Sequence, residues 1–239
     1  MSRYKAFALH LAASLVLILG IFMALRSIWY PGPLFHAAQA SNLMQILIPV
    51  DVILGPILTL IIFKAGKRGL KFDLAIIFLA QASFLLYGLY SIYQVRPVYF
   101  ALMEQNAYLI TANAVEDENL AKAKDERYRK LPAWGPEWVF VKAPTDSEAR
   151  SNDVLTNAIF GIGSQNLPEL YSPLQDKQLQ AAALPFERLK DLKPADHKKL
   201  LDYLEQHKGQ KHGFIRLYTK TGPMFIAINM QDGKVAQLI

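Results

Sequence analysis

The residue in this sequence best placed for chemistry is Asp51, set in the run Pro49-Val-Asp51-Val-Ile-Leu-Gly55-Pro56. Its surroundings are apolar over a helix's length, so the carboxylate falls near the middle of a bilayer rather than in water. An ionised carboxylate at that depth costs at least about 2.5–3.5 kcal/mol and needs a partner, a proton or a polar cavity. Pro49 and Pro56 each remove a main-chain N–H from the helix and loosen the backbone around the acid. Two readings follow. Asp51 could bind a proton or a partner protein inside the membrane. Equally, it could be a polar clasp between helices, with Arg26, Gln45 or Gln81 supplying the other half.

The remaining candidates carry structural readings. Asp73 stands beside Lys71 at the start of an apolar run, where a carboxylate complements a helix N-terminus and the membrane interface. His10, about one turn inside the first apolar run, reads as an interfacial passenger. Gly66-Lys67-Arg68-Gly69 lacks the upstream glycine and the Ser/Thr of a phosphate loop, so it reads as a turn. His197, His207 and His212 are spaced so that no two share a helical face, and neighbouring lysines would repel a cation. No metal site is expected from them. Gly161-Ile162-Gly163-Ser164 is half of a dinucleotide fingerprint after helix-like sequence and reads as a loop, and Ser164 lacks a nucleophile elbow. The absence of cysteine removes disulfides, thiolate metal sites and cysteine nucleophiles. No catalytic constellation and no cofactor site emerges, so an enzyme is not expected.

These residues must be positioned by the elements around them. Apolar runs at 6–27, 43–63 and 72–93 are each about 21 residues long, which as helix spans roughly 31 Å, the thickness of a bilayer core. The basic knot from Lys64 to Lys71 is too short and polar to be anything but a hairpin loop between the last two. Trp29-Tyr30-Pro31-Gly32-Pro33 sets aromatics at the headgroup level and then forbids helix, so the chain turns there. The first run is too long for a signal-peptide core, and the small-x-small triplet Ala38-Gln39-Ala40 lies well beyond its end, so an uncleaved helix is expected.

Charge then fixes orientation. Residues 1–97 carry eight Lys/Arg against Asp51 and Asp73, which accounts for the whole net charge of +6; the 18 bases and 18 acids of residues 98–239 cancel. The pI of 9.3 therefore reflects membrane loops, and nucleic acid is not expected as a partner. Two bases precede the first run, one follows it, and four lie in the second loop, so the N-terminus and that loop are expected in the cytoplasm. Everything after the third helix then lies outside it.

Residues 1–97 thus read as a three-helix transmembrane domain and 98–239 as a soluble α+β domain with an antiparallel sheet, large enough to fold alone. Strands are expected at 98–104, 107–112, 138–142, 214–219, 224–230 and 234–238, the last hairpin turning at Asp232-Gly233. Helices are expected at 116–130, 147–160, 174–184 and 194–207, the last with a stripe of Leu200, Leu201 and Leu204.

The combination Trp29-Tyr30-Pro31-Gly32-Pro33-Leu34, Pro49-Val-Asp51 through Gly55-Pro56, the stretch from Phe63 to Asp73, Tyr87-Gly88 and Arg96-Pro97-Val-Tyr99 resembles the TfpX/TfpZ family of type IV pilin accessory proteins. The likeness is dense over roughly residues 1–100 and thinner beyond. It implies a bacterial inner-membrane protein with a periplasmic C-terminal domain that helps a specific type IV pilin, the major subunit. No catalytic residue or cofactor carries over with it. The function expected is a pilus assembly factor that binds or assists pilin and modulates its stability, assembly or pilus dynamics. The alternative is a membrane-anchored enzyme acting on pilin or the cell envelope. A sensor is disfavoured, because the cytoplasmic parts are too short to carry an output domain. The oligomeric state is not set by the sequence.

Overall fold

In the computed structural model, residues 1–144, 146–160 and 163–239 are described. The chain opens with helix α1 (Arg3–Ile28), capped by Ser2, whose hydroxyl accepts from the Lys5 N–H at 3.3 Å. A short helix α2 (Leu34–Ala37) leads through Gln39, at φ 63°, into α3 (Ala40–Ile62), and α4 (Leu70–Gln94) follows after Gly69 at φ 85°. The three long helices are long and apolar enough to cross a membrane. Leu9, Val16, Ile46, Ile61, Phe78 and Leu86 are all more than half exposed on their outer faces, a surface suited to lipid rather than water. Close approach is built from small residues: a β-carbon at Gly88 of α4 would collide with the side chain of Leu47 of α3.

The third long helix runs directly into a seven-stranded sheet: β1 (Pro97–Met103), β2 (Asn106–Thr111), β3 (Glu137–Val141), β4 (Tyr171–Pro173), β5 (His212–Thr219), β6 (Gly222–Asn229) and β7 (Val235–Leu238), in the order β4-β3-β1-β2-β5-β6-β7. The expected sheet is antiparallel; the observed one is mixed. Four pairings are antiparallel, as tight turns at Glu104-Gln105, Lys220-Thr221 and Gln231-Gly233 require for three of them, whereas β1/β3 and β2/β5 are parallel. The cause is the two long connections after β2 and β4, which return the chain to the end of the sheet where the preceding paired strand began.

Alternation along the strands separates two cores. Phe100 and Leu102, Ile215 and Leu217, and Ile226 and Ile228 point to one face and belong to a single buried cluster that continues through Leu34, Phe35 and Tyr30 to Leu47 and Ile92 of the bundle. Tyr99 and Ala101 point to the other face, with Tyr128, Val139 and Tyr171, while Phe214 and Phe225 pack under Leu200 and Tyr203. The boundary at residue 97 therefore divides the secondary structure but not the core.

Four helices cover or border the sheet: α5 (Asp117–Ala121), α6 (Ser147–Phe160), α7 (Asp176–Ala182) and α8 (Pro194–Gln206). Two expectations fail here. The charged stretch 116–130 is not one helix; it breaks after Ala121, and Asp125 opens a separate turn by accepting from the Arg127 N–H at 3.0 Å. That break lets Tyr128 swing into edge contact with Tyr99 and Tyr171, at 6.3 and 5.7 Å between ring centres, a gain that polar helix propensity does not match. On α8 the buried stripe is Leu200 and Tyr203, and Leu201 is 40% exposed. Of the Gly161-Ile162-Gly163-Ser164 stretch, Gly161 and Ile162 lie outside the described residues.

Candidate functional site

Asp51 lies eleven residues from either end of α3, so about 16 Å of helix separates it from each end. The helix is not regular there. Pro49–Leu54 forms a turn of π-helix in which the Gly55 N–H donates to the carbonyl of Val50, five residues back. In that register the next donor, to the carbonyl of Asp51, would be residue 56, and Pro56 has no N–H. The orphaned carbonyl is paired from another helix: Gln81 Nε2 of α4 donates to Asp51 O at 3.2 Å. Gly55 makes this possible, because a β-carbon there would stand 2.6 Å from Gln81 Oε1 and overlap the amide. Pro49, Pro56, Gly55 and Gln81 thus act together, the prolines breaking the ladder and the glycine admitting the group that repairs it.

The carboxylate itself is a separate matter. Asp51 is 5% exposed, and its Oδ2 has no hydrogen-bond partner among the described residues. His10 of α1 is the titratable side chain that faces it. His10 is no passenger: its Nδ1 lies 2.7 Å from Thr59 Oγ1 on α3, and Thr59 is buried. His10, Thr59 and Gln81 line a cavity of about 280 Å³ at the loop-side end of the bundle, walled by Ala13, Ile77 and Phe78. One polar seam thus joins all three helices, with the Asp51 carboxylate near its inner end. Such a seam can hold a proton, accept a hydrogen bond from an entering donor, or fix the helices against one another.

Of the proposed clasp partners only Gln81 is brought to Asp51, where its amide donates to the main-chain carbonyl and also meets the carboxylate. Arg26 sits in the last turn of α1, exposed, with its guanidinium 6.0 Å from the ring centre of Phe22. A snorkelling arginine at a helix end has no reason to enter the bundle. Gln45 is exposed on α3. Asp73 is the fourth residue of α4 rather than its cap and pairs with Lys67 across the loop at 2.6 Å, not with Lys71. His207 and His212, which share no helical face, are nevertheless brought to 5.6 Å between ring centres by the α8–β5 connection, while His197 packs on Phe186. Among the described residues no group of three potential metal ligands forms. The signals missed in the sequence were the register of Pro56 to residue 51 and the pairing of a small residue with a long amide; His10 gave none, since its partner lies 49 residues away.

Arg96 follows α4 on the sheet side. It is buried, its guanidinium lies 3.8 Å over the Tyr93 ring, and Nη1 donates to Tyr93 O at 3.0 Å, so the charge is absorbed by the C-terminal end of α4.

Known proteins resemble the chain over most of its length. Two fimbrial assembly proteins of Dichelobacter nodosus, of serogroups E1 and I, are each 28% identical over 170 residues, covering 70% of this chain. The chain spans 65% of the length of each, just under two thirds. A fimbrial assembly protein of serogroups C1 and C2 from the same organism is 33% identical over 97 residues, which are 39% of this chain and 73% of that relative. No family model matches the chain, and no solved structure matches it. A third of positions identical across nearly three quarters of a relative shows common descent, and the chain belongs to the family of these fimbrial assembly proteins.

Proposed function

We propose that this chain is an inner-membrane accessory factor for type IV pili, of the TfpX/TfpZ kind, which holds the major pilin and assists its stability, its assembly or the dynamics of the pilus without catalysing a reaction. Kinship with fimbrial assembly proteins supports the setting. The observation that carries the holding role is a groove in the bundle. Between α1 and α3, in the half nearer the sheet, Leu19, Phe22, Met44 and Ile48 line an open trough of about 610 Å³, with Ser41 and Gln45 as the polar residues on its wall. A pilin awaiting assembly is held in the bilayer by one apolar helix, and a trough of this chemistry suits the side of such a helix. Val52 of the π turn also lines it, so an occupant would touch the stretch whose hydrogen bonding is broken. In this reading the loop with Lys64, Lys67, Arg68 and Lys71 faces the cytoplasm and the sheet stands in the periplasm.

The test is photocrosslinking in cells from Leu19 or Ile48 in the trough and from Leu86 on the outer face of α4. Pilin adducts are expected from the trough positions and not from Leu86. Absence of pilin adducts from the trough, or equal adducts from Leu86, would overturn the reading. An adduct at twice the chain's own mass would assign the trough to a second copy instead.

A further inference from the structure

We infer that the loop 131–136, led by Trp134, docks on the lipid headgroup zone beside α1 and moors the sheet domain to the bilayer from which it emerges. The inference rests on the reading of the three long helices as membrane spans. Trp134 is 74% exposed, the most exposed large apolar side chain of the sheet domain among the described residues. The preceding carbonyl, of Ala133, accepts a hydrogen bond of 2.8 Å from the indole N–H of Trp29. Trp29 in turn packs edge-on against Tyr93 at 5.1 Å between ring centres. Trp29 immediately follows α1 and Tyr93 is the penultimate residue of α4, so both mark the depth at which helices leave the bilayer. A β-carbon on Gly135 would lie 3.8 Å from the carbonyl of Ile28, the last residue of α1. The loop therefore touches the end of a membrane helix on both sides of Trp134. It also feeds β3 at Glu137, opposite Tyr99, at the end of the sheet where β1 leaves α4.

Tryptophan and tyrosine partition to this depth, where the ring meets the acyl boundary and the N–H or O–H meets water. Trp29 and Tyr93 already form that belt on the bundle, with Tyr90 59% exposed beside them. Trp134 extends the belt from a second part of the fold. Continuity with this belt is what assigns the occupant as lipid rather than protein.

The test uses the full chain in phosphatidylcholine vesicles brominated near the headgroup, comparing wild type with Trp134→Phe. The chain has three tryptophans, so the emission missing from the variant reports on position 134. That emission is expected to be quenched by the brominated lipid and insensitive to iodide in the water. Quenching by iodide and not by bromine would overturn the inference. The natural absence of cysteine allows a second readout, a nitroxide on Ala133→Cys with Gln105→Cys at the far β1–β2 turn as reference. Equal access of an aqueous nickel complex to both positions would also overturn it. Failure of the chain to float with the vesicles would overturn the reading of the helices as spans along with the mooring, whereas an aqueous result in chains that float overturns the mooring alone.

Discussion

Substituting Gly55 by alanine tests the way the broken helix is repaired. The added methyl would overlap the Gln81 amide, with Oε1 2.6 Å from it, and the cheapest escape is for that flexible end to move away. Moving it breaks the bond from Nε2 to Asp51 O, and no main-chain donor replaces it, because Pro56 occupies the position that would supply one. Hydrogen bonds between membrane helices average about 0.6 kcal/mol, and a buried group left unpaired costs about 1–3 kcal/mol. Against this, alanine favours helix over glycine by about 1 kcal/mol. Gly55→Ala should therefore be neutral to destabilising by about 2 kcal/mol in the natural sequence. In a Gln81→Ala background the methyl meets no amide and the carbonyl is already unpaired, so the same change should stabilise by up to about 1 kcal/mol. The difference, a coupling of about 1–3 kcal/mol, is measurable by reversible unfolding in mixed detergent micelles across the four variants. Equal effects of Gly55→Ala in both backgrounds would refute the repair mechanism.

Three further outcomes follow from the structure. Asp51→Asn and Asp51→Leu should keep wild-type abundance and thermal stability while both lose piliation. Oδ2 makes no hydrogen bond among the described residues and the Gln81 amide keeps its bond to the main chain in both variants, so lowered stability would show the carboxylate to be structural after all, and wild-type piliation would remove its role towards pilin. Burial first, and then the neighbouring His207, hold His212 below its ordinary value of 6.5, so the unfolded chain binds its proton before the folded one as pH falls. Stability should be unaffected above about pH 6.5 and decline as pH drops through that value towards the folded one; thermal melts of wild type and His212→Gln between pH 7.5 and 5.5 check this, and an unchanged slope in the variant would refute it. A fragment beginning at Pro97 would bare the face formed by Phe100, Leu102, Ile215, Leu217, Ile226 and Ile228, so it should associate or require detergent, whereas a soluble monomer with one cooperative transition would show that this face needs no cover.

The sequence made legible whatever rests on local periodicity. The three spans were readable from run length, and the closing hairpin from Asp232-Gly233, because each signal is complete within a few residues. The mixed pairing of the sheet was not readable, since β3 takes its direction along β1 from the connection 112–136, in which Tyr128 packs on Tyr99 and Tyr171. At the candidate site, Asp51, its two prolines and Gln81 could be named because an acid and prolines in an apolar run are conspicuous. Their connectivity could not. Whether an amide meets a carboxylate or the carbonyl behind it depends on the register of one π turn, which no composition rule supplies. His10 and Thr59 escaped for the same reason, being ordinary residues until two helices align.

The passage from α4 to β1 is short enough to have consequences for how the molecule can change over time. Only Val95 and Arg96 intervene, Arg96 is clamped on Tyr93, its carbonyl accepts from the Ala112 N–H at 2.9 Å, and the Tyr30 hydroxyl pins the Ile92 carbonyl at 2.6 Å. Such a joint behaves as a shaft and not as a swivel. One residue gained or lost in the last turn of α4, ahead of this joint, would turn everything downstream by about 100° about the helix axis and shift it by about 1.5 Å. The aromatic loop would swing away from the headgroups, and the apolar face of the sheet would miss Leu34 and Phe35. Length variation should therefore collect at outlying turns such as Glu104-Gln105, where an added residue rotates nothing, while the two-residue shaft stays fixed in length across descendants of this chain.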